Sequence, residues 1–91
     1  MIYLIEVRNT VGAYKTVAAC YNLADARKIF EETKKNNGFG QGRPEVLEIP
    51  KGQKKDPSIK AWAKVGGTTH HNTIVRIKEV PWQELRGGEQ A

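Results

Sequence analysis

The chain has 91 residues, which is enough for one small domain and too few for a second independent one. Its composition, 38% hydrophobic and 27% charged, is typical of a folded globular domain and excludes an extended disordered chain. Fifteen Lys and Arg against ten Asp and Glu give a net charge of +5, which favours anionic partners such as nucleic acid, nucleotides or an acidic protein surface.

Cys20 is the single cysteine, so an intrachain disulfide and a cysteine metal cluster are excluded and a reduced, cytoplasmic location is expected. The apolar run at the N-terminus, 2–5, meets Glu6 and Arg8 almost at once. It is too short for a secretory signal or a membrane span, and we therefore expect no membrane partner.

The first elements in chain order are two strands. Residues 2–8 are rich in β-branched and aromatic types and alternate between two faces, which predicts a strand. Turn-forming residues follow at 9–12, and a second strand is predicted over 14–21. Because the link is short, the two strands should form an antiparallel hairpin.

A helix is predicted next, with Asn22 as its N-cap and Asp25 at the positive end of its dipole. The apolar positions 23, 26, 29, 30 and 33 recur at helical spacing and should pack across the hairpin. Charged residues between 27 and 35 form i,i+4 pairs, which is typical of a solvated helix face. The helix should end at 36–38, Asn-Asn-Gly.

The second half is harder to interpret. A short strand is predicted over 45–49, halted by Pro50, and a final strand over 73–80, closed by Pro81. Between them, Asp56-Pro57 is a good helix start and predicts a short second helix over 57–65 that ends at Gly66. The alternative is a strand, since apolar residues alternate with polar ones from 59 to 65.

These elements predict an α+β fold: a small antiparallel sheet of about four strands, covered by one main helix, with a possible short second helix at 57–65. Residues 1–85 form one domain and 86–91 a flexible tail. Because one helix leaves a sheet face and edges unprotected, we expect a homo-oligomer.

No catalytic site can be assembled from the sequence. The glycines at 38, 40 and 42 follow a helix and precede a strand, the reverse of a dinucleotide loop, although their N–H groups beside Arg43 suit a phosphate nest. The loop 66–73 holds hydroxyls and two imidazoles without further metal ligands, which favours a polar turn. A hydrolase that uses His70 or His71 is the least favoured hypothesis, and we expect no cofactor or metal.

The placement of the positive charges along the chain says more about function than the catalytic and metal motifs do. Residues 51–64 hold five lysines and one aspartate, +4 of the chain's +5, with Trp62 among them. A basic, aromatic segment suits stacking on a base while phosphate is neutralised, whereas Trp62 in a small core with Ile59 is the structural alternative. The candidate ligand-binding residues are Arg43, Lys54, Lys55, Lys60, Trp62, Lys64, Thr68, Thr69, His70 and His71.

The order of the segments 2–7, 14–21, 22–30 and 45–50 resembles small accessory proteins that bacteriophages encode. In these, a hairpin runs into a helix with the pattern residue-Ala-acid-Ala and returns as a strand. The resemblance covers about the first fifty residues. It implies a viral origin, action in the host cytoplasm, and binding in place of catalysis, either to a host defence protein or to a nucleotide signal.

The leading hypothesis is therefore a non-enzymatic protein that holds an anionic ligand, such as a nucleotide signal, and so antagonises a host defence pathway. The first alternative is a nucleic-acid-binding protein in which the same lysines contact backbone phosphates. The second is a protein–protein inhibitor of a host enzyme, with its contact surface around Trp82 and Leu85.

Overall fold

The structure, a computed structural model, describes residues 1–9, 12–52, 54, 56–67 and 72–81. Five strands form one antiparallel sheet with the spatial order β2-β1-β5-β4-β3, so the last strand in the chain lies at its centre. The elements are β1 (Ile2–Asn9), β2 (Lys15–Cys20), α1 (Leu23–Asn36), β3 (Glu45–Val46), β4 (Ile59–Val65) and β5 (Thr73–Val80). The α+β class is confirmed, with five strands where about four were predicted.

The N-terminal half follows the prediction. β1 and β2 form the expected hairpin, and α1 begins after Asn22. The Asn22 Oδ1 accepts the backbone N–H of Asp25 at 2.8 Å, while its Nδ2 donates to the Asp25 carboxylate at 2.9 Å. Asn22 thereby satisfies one of the N–H groups that a helix start leaves without a partner. The helix ends before Asn37 and Gly38, whose φ of +91° is readily adopted only by glycine.

The predicted helix over 57–65 is wrong, because this segment forms β4 between β3 and β5. Asp56 caps a turn and not a helix: its Oδ1 accepts the backbone N–H of Ser58 at 2.9 Å and the hydroxyl at 2.6 Å. These two hydrogen bonds, the side-chain one foremost, hold the pKa of Asp56 below its usual value. The alternation of side chains in β4 determines its structure in preference to the helix start at Asp56-Pro57, because the residues of β4 face buried layers on both sides of the sheet.

Two further boundaries differ from the prediction. The strand predicted over 45–49 pairs only at Glu45 and Val46, opposite Val65 and Lys64. The domain end at 85, the tail 86–91 and the contact surface around Trp82 and Leu85 lie outside the described residues. No helix in the described part of the chain is long and apolar enough to cross a membrane.

The main core lies between α1 and the sheet. Ile5, Val75 and Ile77, from the two central strands β1 and β5, are completely buried there, and Ala26 and Phe30 of α1 pack against them. Cys20 is also buried in this layer, as a packed residue. The helix packs against β1, β2 and β5. On the helix side of β4, Ala63 and Val65 are buried in the same core, whereas Ala61 is only partly buried.

The second sheet face carries its own apolar residues. Ile2, Ile59, Trp62 and Val80 are each at most 7% exposed and do not belong to the cluster beneath α1. In β4, Trp62 stands between Ala61 and Ala63, which face the helix, so its side chain points to the opposite face. The sheet therefore buries side chains on both faces.

Two valines test this assignment of core and surface. Val75 is fully buried beneath α1, whereas Val46 in β3 is 45% exposed. We expect Val75→Ala to lower the free energy of unfolding by about 2 kcal/mol, from two lost methyl groups and the cavity they leave. Val46→Ala, the same substitution at the sheet edge, should change it by less than about 0.5 kcal/mol. Urea unfolding measures both, and equal losses would contradict the packing.

Candidate functional site

A groove runs along the helix side of β4, where α1 does not reach. It encloses about 350 Å³, at the lower end of the range of about 300–1,000 Å³ that is usual for small-molecule sites. Its floor is β4 at Ala61, whose small side chain is partly exposed; Ala63 also lines the groove but is itself buried in the core. Phe30 of α1 forms one wall, and Leu47 and Ile49, from the connection between β3 and β4, form the other.

Three cations line this groove. Arg27 and Lys34 project from α1 at helical spacing, and Lys60 comes from β4. The Lys34 Nζ lies 3.1 Å from the Glu31 carboxylate and 5.2 Å from the centre of the Phe30 ring, so its side chain is held in place. The arrangement combines an apolar floor and walls with positive charge above them.

Lys60 reaches the groove because β4 is irregular. The pairing of β4 with β5 shifts between Ile59 and Ala61, so Lys60 is an extra residue in the ladder. Its Nζ lies 3.8 Å from the Glu79 carboxylate, a loose ion pair in which the lysine side chain stays 32% exposed. Such a pair contributes little to stability and leaves the ammonium able to reach a bound anion.

Glu79 is shared with a second group. Tyr3 lies opposite Glu79 across β1 and β5, and its phenol donates a hydrogen bond to that carboxylate. Desolvation first, then this hydrogen bond and the negative charge, raise the pKa of the Tyr3 phenol above its ordinary value. Tyr3 therefore stays neutral at physiological pH and serves to hold Glu79 beside Lys60.

The opposite sheet face holds a separate polar network. The Arg76 Nε donates to the Glu6 carboxylate at 2.7 Å, and both side chains are less than 20% exposed. The Tyr14 ring stacks on this guanidinium, 3.6 Å from its carbon, and the Arg8 guanidinium lies 5.9 Å from the same ring. The Nε of Arg8 and the Nε1 of Trp62 are buried without a hydrogen-bond partner among the described residues.

Of the predicted site residues that the structure describes, only Lys60 and Trp62 line the groove. Lys60 faces the groove, whereas Lys64 lies opposite Ile74 on the other sheet face. Trp62 is only 5% exposed, which favours the core interpretation over a ligand contact. Lys54 is exposed in the turn after Pro50, where its N–H donates to the Pro50 carbonyl at 3.0 Å.

Arg43 is exposed at the end of the glycine-rich connector, with its Nη1 close to Gly38. Gly38, Gly40 and Gly42 all have positive φ, and the Gly40 N–H is bound to the Glu45 carboxylate at 2.7 Å. A carboxylate already sits where the phosphate nest was predicted. The remaining candidates, Lys55, Thr68, Thr69, His70 and His71, lie outside the described residues.

Sequence reasoning missed Arg27, Lys34, Leu47 and Ile49. The two cations were interpreted as part of a solvated helix face, and the apolar pair as part of a third strand. The sequence shows only that Leu47 and Ile49 are apolar in a short segment before Pro50. That Leu47 is 59% exposed, which is unusual for a large apolar residue, is known only from the structure.

No group of His, Cys, Asp and Glu that could hold a metal ion occurs among the described residues. In comparisons with known proteins, no family model, curated protein or solved structure matches the chain. Its function must therefore be argued from the groove and from the charges around it.

The polar network on the second face predicts a measurable contribution to the free energy of unfolding. Glu6→Ala leaves the half-buried Arg76 guanidinium without its carboxylate, and we expect a loss of about 1–3 kcal/mol in the free energy of unfolding. Glu48→Ala, at an exposed position, is the matched control and should change it by less than about 0.5 kcal/mol. Chemical denaturation followed by fluorescence measures both, and a neutral Glu6→Ala would show that the ion pair contributes nothing.

Proposed function

We propose that this protein binds a small anionic ligand of the nucleotide class, without catalysis, in the groove between α1 and β4. The observation that carries the proposal is the small, partly exposed side chain of Ala61 in the floor, beneath the cations Arg27, Lys34 and Lys60. A flat, uncharged ring fits above small side chains, and a phosphate fits among guanidinium and ammonium groups.

The charges of the groove support an anion in preference to a neutral ligand. Glu31 and Glu79 partly neutralise Lys34 and Lys60, which leaves Arg27, an exposed guanidinium, as the side chain best suited to a bidentate contact with phosphate. Phe30 and Leu47 supply apolar contact on the two walls. The ligand thus needs an apolar body and a compact negative charge.

The biological role we propose is sequestration of a nucleotide signal, which would antagonise a defence pathway of the host. It rests on the resemblance to phage accessory proteins together with the groove. Binding without turnover is sufficient for such a role, because a ligand held in stoichiometric complex no longer reaches its receptor.

The floor can be tested without changing any charge. Ala61→Leu fills the groove, and we expect it to weaken binding of mononucleotides and cyclic nucleotides at least tenfold. Ala24→Leu, on the exposed side of α1, is the matched control and should bind as the parent does. Isothermal titration calorimetry with nucleotides, the corresponding nucleosides and inorganic phosphate measures the affinities. Equal nucleotide affinity in Ala61→Leu and Ala24→Leu, or no binding of any nucleotide by the parent, would contradict the proposal.

The role of the cations needs its own comparison. Arg27→Gln should lower the affinity for a nucleotide about tenfold or more, since a charged hydrogen bond contributes about 1.5–3 kcal/mol. Lys51→Gln removes the same charge from an exposed turn outside the groove and should have little effect. If the two variants lose affinity equally, and oligonucleotides bind with a steep dependence on salt concentration, the nucleic-acid alternative is favoured instead.

A further inference from the structure

β2 is an exposed edge of the sheet. It pairs with β1 on one side only, and Lys15, Thr16, Val17 and Ala19 are all exposed. The other edge, β3, has just two residues. An edge of six residues with apolar side chains presents backbone donors and acceptors that another strand can pair with.

Two features of β2 are unusual for an edge that faces water. Val17 is 55% exposed and Tyr21, directly after the strand, is 75% exposed. Surface depressions of about 420 and 430 Å³ flank the strand, one at the Lys15 end and one at the Cys20 end. The edge therefore offers both apolar contact and space for side chains from a partner.

The two ends of the strand carry opposite charge. Lys15 lines the first depression, whereas Asp25 and Glu32 line the second, with Lys28 between them. Asp25 lies close enough to Cys20 to act, after burial, as the second cause that raises the pKa of this thiol. When two copies of β2 align antiparallel, the Lys15 end of each meets the Cys20 end of the other, and Lys15 approaches the partner's acidic depression.

We infer that β2 is the site at which a second copy of this chain binds, by antiparallel β2–β2 pairing about a two-fold axis. The pairing joins two five-stranded sheets into one of ten strands and covers Val17 and Tyr21. Val17 lies near the middle of β2, so in this pairing its side chain is near the axis, where it meets its counterpart. The groove beside β4 stays open in both copies, because β4 lies on the far side of β1 and β5 from β2.

A cross-link locates the contact. Sedimentation equilibrium of the parent should give twice the single-chain mass of 10.2 kDa at high concentration. Val17→Cys should form an intermolecular disulfide on mild oxidation, while the buried Cys20 of the parent should not. A monomeric parent, or a dimer in which Val17→Cys does not cross-link, would overturn the inference.

Charge and shape give two independent checks. Val17→Lys, at an exposed position, should raise the dimer dissociation constant at least tenfold without changing the thermal stability of the monomer. Lys15→Glu should weaken the dimer by a similar factor, because the new carboxylate faces the partner's Asp25 and Glu32. Lys51→Glu is the control with the same change in net charge. If it weakens the dimer as much as Lys15→Glu does, the pairing is not at β2.

Discussion

One geometric constraint governs this fold: a single helix is too narrow to cover five strands. An α-helix with its side chains is about 10 Å wide, whereas five strands spaced about 4.8 Å apart span about 19 Å. α1 lies over β1, β2 and β5, and the strands that remain are β4 and β3. The groove and the exposed connection at Leu47 follow from this mismatch.

The sizes of the side chains on β4 determine how much of the area beyond α1 remains open as a groove. The core extends over β4 at Ala63 and Val65, but at Ala61 a small side chain leaves space that a larger one would have filled. The bulky residue of the strand, Trp62, is turned to the opposite face, where it is buried. The strand is therefore packed on both sides along most of its length, and open space remains on the helix side only near Ala61 and Lys60.

Local signals predicted the local structure. The hairpin, the Asn22 cap and the final strand were all predicted, because each is specified by neighbouring residues. The segment 57–65 was not, because Asp56-Pro57-Ser58 stabilises a turn before a strand with the same hydrogen bonds that would begin a helix. Only pairing with β5, the next strand in the chain, settles the choice, and the residues of 57–65 by themselves do not specify that pairing.

The site was harder to predict than the fold for a related reason. Lys60 and Lys64 are four residues apart and look equivalent in the sequence, yet the bulge after Ile59 puts them on opposite faces. Bulges depend on cross-strand register, which the sequence of one strand does not contain. Arg27 and Lys34 likewise look like ordinary solvated helix residues until the uncovered strand beside them is known.

The most direct test of the central claim is an NMR titration of the ¹⁵N-labelled protein with a set of nucleotides. We predict saturable shifts of the amide signals of Ala61 and Ala63 and of the neighbouring helix residues Arg27 and Phe30, with much smaller changes at the amide signals of Arg8 and Lys64, which do not line the groove. Shifts centred on Arg8 and Lys64, or no saturable shift with any nucleotide, would contradict the account.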